Sequence, residues 1–307
     1  KFRTVPGAIF SSITFLAALV MVVMFGREIY ERKIPNVTEN KEFLDKSRVA
    51  SKDFPVMFTF HFGESNDGTD MGDPFKLFDF YTFYSVFDAV TGAAVEKPLK
   101  ITYCKDLEFG ERAQPIVDQY IEDTPLNSLC IDHRLDDGEE LSFYNKMSTI
   151  DSSTVFMFIS YCKKEQRPDC EMDVDTFSTR TLGAAISYID TFVDSTDYSD
   201  PIKWYNNRYI QPLTPGLLKY VVFSITNDIY ITDDGWLLEK QRVIDYLSVS
   251  NIRTDLANID ENLSPLLMMF SYESPKLRIK TTRNYLKIQE LFANAGGVAN
   301  FFMIIMT

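Results

Sequence analysis

Residues 54–62 read FPVMFTFHF and residues 217–240 read LLKYVVFSITNDIYITDDGWLLEK, and both runs are typical of β-strands. Phe, Tyr, Val and Ile dominate them, and these residue types favour strands. Turn-forming triplets stand close by, NDG at residues 66–68 and DDG at residues 233–235. Similar runs recur between them, so the sequence predicts a mainly β, antiparallel, sandwich-like ectodomain over residues 54–282.

The composition restricts the classes of partner. The chain carries a formal net charge of −13 over its 307 residues. A phosphate backbone needs a basic footprint, so we expect no nucleic-acid partner. With 25 Phe and 16 Tyr, the composition again favours strands over helices.

The first apolar stretch, Ala8 to Phe25, reads AIFSSITFLAALVMVVMF and contains no charged residue. A helix needs about 20 residues to cross the hydrocarbon core, so we predict transmembrane helix 1 at residues 8–26. A signal peptide is the first alternative, but no small-residue cleavage site follows the run. A buried core helix is the second.

The other end becomes apolar after Gly296 and Gly297, with VANFFMIIMT at residues 298–307. We predict that residues 283–307 begin a second transmembrane helix, the alternative being an amphipathic helix packed on the domain. Small residues let helices approach closely in lipid, so Gly7, Gly296 and Gly297 are candidate helix-packing positions. Residues 1–7 are expected to be a cytosolic flank, and both ends to be limits of a longer chain.

Signals for the side of the membrane conflict. Basic residues follow the first span and precede the second, and the positive-inside rule alone would put the domain in the cytosol. That rule weakens for long translocated domains. Two sequons, at Asn36 and Asn262, are predicted glycosylation sites of a lumenal or extracellular domain. The balance favours a membrane protein of the cell surface, including the cilium, or of the secretory pathway.

The four cysteines, Cys104, Cys130, Cys162 and Cys170, fall in the middle of the chain. An even number predicts two disulfides in an oxidising compartment, with the pairing left open; four reduced core thiols are the alternative. We expect no zinc site, because the chain has no CxxC pair.

Other site signals are weak. Glu64, Asp67, Asp70 and Asp73 crowd one loop and are calcium candidates, although their spacing differs from an EF-hand. The DDGEE run at residues 136–140 is a second weak calcium candidate. His133 beside Asp132 lacks a nucleophile motif, and no P-loop, HExxH or GxGxxG is present. We therefore predict that the protein is not an enzyme and has neither catalytic residues nor a cofactor.

Residues 27–53 are polar and mixed in charge, and we predict that they form a linker between the first span and the domain.

Several motifs resemble known membrane families. FRTVPGAIFSSITF (residues 2–15) and ELFANAGGVANFF (residues 290–302) resemble the span starts of ERGIC-type ER–Golgi cargo receptors. The whole layout resembles a large two-pass group of ciliates and related protists. Its shared features are Cys104 before an acidic-aromatic stretch, the Cys162–Cys170 hairpin, YIDTFVDSTDYSDPI (residues 188–202) and the turn at residues 232–235. The resemblance implies two spans, cytosolic termini and a lumenal β-rich domain.

These observations favour a non-enzymatic two-pass protein whose ectodomain binds proteins or assembles a membrane complex. The expected partners are membrane lipid and other membrane or extracellular proteins, in a homo- or hetero-oligomer. A cargo-receptor-like trafficking protein and a subunit of a trimeric two-span ion channel are the alternatives. The channel reading is weakened because the apolar runs carry no ionisable residue that could line a pore.

Overall fold

A computed structural model describes residues 5–32, 35–44, 46–62, 73–123, 127–136, 138–146, 151–171, 182–259, 264–290, 292–293 and 296–297. This part of the chain is mainly β, as the apolar alternation predicts. It contains the helices α1 (Val5–Glu31), α2 (Pro74–Leu77) and α3 (Gln114–Asp123). The strands are β1 (Asn36–Phe43), β2 (Lys46–Ala50), β3 (Val56–Phe62), β4 (Phe78–Asp88), β5 (Ala93–Pro98), β6 (Ile101–Tyr103), β7 (Leu129–Ile131), β8 (Ser142–Lys146), β9 (Ser152–Tyr161), β10 (Leu182–Val193), β11 (Ile202–Leu213), β12 (Leu217–Asp233), β13 (Gln241–Asn258), β14 (Leu266–Glu273) and β15 (Leu277–Asn284).

The strands of the described residues form a ten-stranded sheet and a five-stranded sheet. The large sheet runs β1-β15-β12-β14-β9-β4-β5, with β13 paired to β12, β8 paired to β9 and β2 paired to β8. The small sheet runs β11-β10-β3-β7-β6. Most pairs are antiparallel, as predicted, but β12 runs parallel to both β14 and β15.

A buried carboxylate on β12 accepts hydrogen bonds where the ladder along one edge of this strand passes from β14 to β15. These two strands share one edge of β12, and the ladder is interrupted between Ser224 and Ile229 of β12. There Asp228, 1 % exposed, accepts hydrogen bonds from the Ile279 amide at 2.7 Å and the Ser248 hydroxyl at 2.6 Å. A buried acceptor thus takes a backbone donor that the ladder would otherwise leave unpaired.

The two sheets pack face to face around an aromatic core. Phe58 of β3 meets Phe270 of β14 at 5.0 Å between ring centroids, edge to face. Tyr188 of β10 meets Phe223 of β12 in the same way, also at 5.0 Å. Such pairs add about 0.5–1.5 kcal/mol each beyond their area of burial. The predicted sandwich is therefore present.

Helix α3 covers the second face of the small sheet. Successive side chains of a strand point to opposite faces, so Met57 and Ile189 pack against α3 rather than into the sandwich. The Ser187 hydroxyl donates to the Tyr120 hydroxyl across this interface at 3.0 Å.

The structure differs from the predicted linker at residues 27–53. Helix α1 continues to Glu31, and β1 and β2 are paired strands rather than a flexible spacer. The cause is tertiary, because β1 pairs along its whole length with β15.

Helix α1 holds the segment Ser12–Glu31, with 20 residues and a hydropathy of 1.8. By length and composition it is the one helix of the described residues able to cross a membrane. The second predicted span, residues 283–307, starts within β15, which ends at Asn284, and its residues 298–307 lie outside the described residues. Gly7 lies in α1, and at Gly296 and Gly297 a Cβ would meet nothing within 4 Å, so the helix-packing role stays a prediction.

Candidate functional site

A fully buried arginine marks the end of the domain where α1 joins it. Arg283, on β15, is 0 % exposed. Its guanidinium donates to the Asp197 carbonyl at 2.6 Å and to the carbonyls of Ser195 and Tyr198 at 3.2 Å. Its Nε donates to the Thr232 hydroxyl at 3.2 Å. A buried charge is costly unless its donors are satisfied, and here one fork fastens the β10–β11 loop to the large sheet.

Three tyrosine rings surround the same guanidinium. The ring centroids of Tyr230 and Tyr285 lie 5.2 Å from it, and that of Tyr198 lies 5.6 Å away. Each distance is within cation–π range. Burial raises the pKa of Tyr230 to about 12, while the Arg283 charge opposes that rise.

A second arginine approaches Tyr198 from the end of α1. The Arg32 guanidinium lies 4.6 Å from the Tyr198 ring centroid and 5.4 Å from that of Trp236. It donates to the Tyr198 hydroxyl and, at 2.9 Å, to the Asp234 carbonyl. Arg32 adopts a φ of +49°, the left-handed conformation that usually favours glycine just after a helix. A residue with a Cβ keeps this conformation only where surrounding contacts hold it, and the Arg32 side chain supplies two such hydrogen bonds.

An ion pair fixes the segment that leads to the C-terminal end. Lys287 Nζ lies 2.7 Å from Asp233 Oδ2, and both side chains are largely buried. The Ile288 amide also donates to the Trp236 carbonyl at 3.1 Å. Burial would raise the pKa of Asp233, but hydrogen bonds from Lys287, Lys240 and Gly235 outweigh it and hold that pKa below its usual value.

We call the set Arg32, Tyr198, Asp233, Arg283, Tyr285 and Lys287 the junction. It brings the end of α1 and the segment 285–290 to the same end of the sandwich. In the sequence, Arg32, Arg283 and Lys287 stand out only as basic residues that flank the two predicted spans. No local pattern signals that Arg283 is buried, because the partners of its fork lie 51 to 88 residues away.

A second feature is an aromatic surface on the outer face of the large sheet. Tyr81 pairs with Phe158, which pairs with Met269; beside this row, Phe83 pairs with Phe156. Phe83 stacks on Phe156 at 5.2 Å and on Phe158 at 5.9 Å. Tyr81 is 59 % exposed and the other four side chains are half-buried. We call these five residues the aromatic platform.

The predicted calcium residues separate. Asp73 caps α2, accepting from the Phe75 amide at 3.0 Å and the Tyr103 hydroxyl at 2.9 Å. Glu64, Asp67 and Asp70 lie outside the described residues. Within the described ranges, no group of three or more His, Cys, Asp or Glu side chains could hold a metal ion. Of the acidic run at 136–140, Asp136 pairs with Lys100 at 3.0 Å and Glu140 with Lys52 at 2.6 Å, both on the surface.

The four cysteines form two disulfides, Cys104–Cys130 and Cys162–Cys170. The first holds β7 to the 3₁₀ turn Cys104–Asp106, and the second closes the hairpin after β9. Of the two sequons, Asn36 begins the exposed edge strand β1, and Asn262 lies outside the described residues. Glycosylation stays a prediction at both positions.

Two solved structures are similar to the chain at a low level. A cryo-EM structure of a proton-activated chloride channel is 11 % identical, with a TM-score of 0.28, over 97 % of each chain. The crystal structure of Erv41p is 9 % identical, with a TM-score of 0.29, over 80 % of this chain and 99 % of that one. Likeness at this level supports no statement about function.

A search of curated proteins finds no match. A family model described as the uncharacterised 80 kDa protein N-terminal domain matches residues 66–271. The matched region ends in β14 and includes α2, α3, both disulfides and the aromatic platform. Because it covers more than half of the sequence, the chain belongs to the family of the uncharacterised 80 kDa protein N-terminal domain.

Proposed function

We propose that this protein is a non-enzymatic two-pass membrane protein whose non-cytosolic domain binds other proteins or assembles a membrane complex. Its place would be the cell surface or a membrane of the secretory pathway. Helix α1 has the length and hydropathy of a span, and two disulfides suit an oxidising compartment. The junction supports two spans, because it brings the end of α1 and the start of the segment toward the predicted second span together.

The aromatic platform carries the binding part of the proposal. Phe156 and Phe158 alternate along β9 with Val155, Met157 and Ile159, which fill the core, so β9 is apolar on both faces. A strand covered on one face only would alternate apolar with polar residues. Aromatic side chains and Met are enriched where proteins meet, and exposed apolar patches mark such sites.

The platform has the polar rim of an interface. Tyr220 of β12 extends the first row beyond Met269, and Val222 extends the second row through Ser271 of β14. On β13 the pairing partners of Tyr220 and Val222 are Asp255 and Arg253. Arg253 Nε lies 3.0 Å from Asp255 Oδ2, and both side chains are mostly exposed. Apolar residues at the centre with charged residues at the edge are the usual arrangement of a protein-binding surface.

The test is native mass measurement of the full chain in mild detergent, combined with crosslinking in the native membrane. We expect an assembly larger than a monomer, with crosslinks near β4 and β9. The double variant Tyr81→Ser/Phe158→Ser should fold normally but lose the assembly and its crosslinks. Val95→Ser, which removes another exposed apolar side chain of the same sheet, is the matched control. A monomeric wild-type protein without crosslinks would contradict the proposal.

A second candidate function is a subunit of a two-span ion channel. The junction favours the channel function, because it contacts both the end of α1 and the segment 285–290. A movement of the domain would therefore be transmitted to α1 and to the predicted second span. Trimeric native mass together with cation currents in reconstituted bilayers would support this alternative. A trimer without currents would leave assembly as the function.

A further inference from the structure

The loop between β12 and β13 exposes three large apolar side chains in succession. Trp236 is 48 % exposed, Leu237 is 52 % exposed and Leu238 is 79 % exposed. A soluble surface tolerates scattered apolar residues, but a run of three at a loop tip calls for a covering partner.

The loop is held firmly in this arrangement. Asp233 Oδ1 accepts hydrogen bonds from the amides of Gly235 at 3.0 Å and Lys240 at 2.8 Å. A Cβ on Gly235 would lie 1.7 Å from the Leu238 carbonyl oxygen, so only glycine allows this tight turn. The turn is therefore well defined, and in this conformation Trp236, Leu237 and Leu238 are exposed.

The loop lies beside the end of α1, and this position indicates which kind of partner could cover it. Arg32, directly after α1, donates to the Asp234 carbonyl and lies over the Trp236 ring. Gly26 closes the uncharged run of α1, and Tyr30 lies four residues further on, which is about 6 Å along a helix axis. Tyr30 lines the same cleft as Trp236 and Leu238. The polar interface of a bilayer is about 5–7 Å thick on each side, so with α1 across a bilayer these side chains stand at the height of the lipid headgroups.

Neighbouring side chains fit the same environment. Tyr30, at the end of α1, is 76 % exposed. Between α1 and the loop lies an open cleft of about 1150 Å³, lined by Tyr30, Trp236, Leu238 and charged side chains. Trp and Tyr favour the membrane interface because one part of each ring is apolar and another part forms hydrogen bonds.

We propose that Trp236, Leu237 and Leu238 insert into the lipid interface beside α1 and fix the domain against the membrane surface. This inference rests on the proposed function, because it requires α1 to span a bilayer. A lipid surface fits better than a protein partner, since Trp236 and Leu238 share one cleft with Tyr30 at the end of the predicted span, and charged side chains line the same cleft, as at a membrane interface. The contact would hold the junction at a defined height and tilt.

The test uses tryptophan fluorescence of the full chain in vesicles whose lipids carry bromine either near the glycerol or near the chain ends. The chain has two Trp, so Trp236→Phe leaves Trp204 as the background. We expect the wild-type protein to be quenched more by the shallow bromine than by the deep one, and Trp236→Phe to lose this component. Leu238→Trp in the Trp236→Phe background should restore it.

A further variant separates the two proposals. Phe15→Trp, again in the Trp236→Phe background, places a reporter within α1, where Phe15 is 72 % exposed. Deep quenching of this reporter without quenching of Trp236 would overturn the insertion of the loop and leave the membrane proposal intact. Absence of quenching at both positions would overturn both. Burial of Trp236 against a protein would appear as emission at shorter wavelength that neither lipid label quenches, and it would overturn the insertion.

Discussion

The Arg32 guanidinium lies 4.6 Å from the centre of the Tyr198 ring, and Arg283 approaches the same ring at 5.6 Å. One aromatic side chain thus connects the end of α1 with the buried arginine of the large sheet. Arg32 holds this position at a φ of +49°, which costs about 1–2 kcal/mol for a residue with a Cβ. The contacts of its side chain must offset that cost.

The first prediction concerns Arg32→Gly. Glycine relieves the backbone strain but removes the hydrogen bond to the Asp234 carbonyl and the contact with Tyr198. We expect a stability change within about 1 kcal/mol, since the strain relief offsets the lost contacts. Hydrogen exchange at residues 234–236 and 285–288 should accelerate. Mass spectrometry of the full chain in detergent measures this.

Arg27→Ala is the control, because Arg27 stands one turn earlier and forms an exposed pair with Glu31. Its exchange pattern at the junction should match that of the wild-type protein. Equal exchange in Arg32→Gly and Arg27→Ala would show that Arg32 does not hold α1 to the domain.

The second prediction concerns Arg283→Met. Methionine has a similar length but no donors, so the partly buried carbonyls of Ser195 and Asp197 would lose their partner. We expect a loss of about 2–4 kcal/mol in the free energy of unfolding, since each unsatisfied buried group costs about 1–3 kcal/mol. A lower melting temperature in detergent would report it. Arg253→Met, at an exposed arginine of the same sheet, should change the melting temperature little; an equal loss in both variants would contradict the prediction.

The part of the fold that the sequence predicts is the part with local apolar patterning. Strands such as β9 are visible because Val155, Met157 and Ile159 recur every second residue. Strand β1 shows no such pattern: NVTENKEF is polar, and its side chains are almost all exposed. It forms through pairing with β15 and through the ion pair of Glu42 with Arg278, 236 residues away. No local rule can detect that partner.

The candidate sites are also difficult to predict from local sequence, because the residues that form them are far apart in the chain. The sequence places Arg32 and Arg283 near the two spans, but their shared contact with Tyr198 joins three distant segments. The platform had a local signal, because β9 is apolar on both faces. That signal predicts a covered face without naming what covers it.

The third prediction compares the two disulfides. Cys104–Cys130 closes a loop of 26 residues, and Cys162–Cys170 closes a loop of 8. Loop-closure entropy gives a stabilisation of about 3.5 kcal/mol for the first and about 2.5 kcal/mol for the second. The double variant Cys104→Ala/Cys130→Ala should therefore melt at a lower temperature than Cys162→Ala/Cys170→Ala. Each variant removes two buried sulfur atoms, so the comparison is matched, and the reverse order would refute the entropic ranking.

The fourth prediction concerns pH and the two histidines. Burial lowers the pKa of both His61 and His133 below the usual value. The ring of His61 also lies so close to Gly183 that a Cβ there would come within 2.5 Å of it, and the His61 Nδ1 atom is buried without a hydrogen-bond partner in the described part of the chain. The folded state thus binds a proton less readily than the unfolded chain does. Stability should fall as the pH drops through the unfolded histidine pKa of about 6.5 toward the folded values.

Thermal unfolding of the full chain between about pH 7.5 and pH 5 measures this slope. The double variant His61→Gln/His133→Gln cannot take up these protons, so its melting temperature should depend less on pH over that interval. Asp53 and Asp228 act in the opposite direction, because burial raises the pKa of each carboxyl and protonation then favours the folded state. This stabilisation starts as the pH falls through the raised pKa values of the folded state and is complete only below the unfolded aspartate value of about 4. Comparing the wild-type protein with the double variant isolates the histidines, because both proteins keep the two aspartates. An equal slope in the wild-type protein and the double variant would assign the acid sensitivity to other groups.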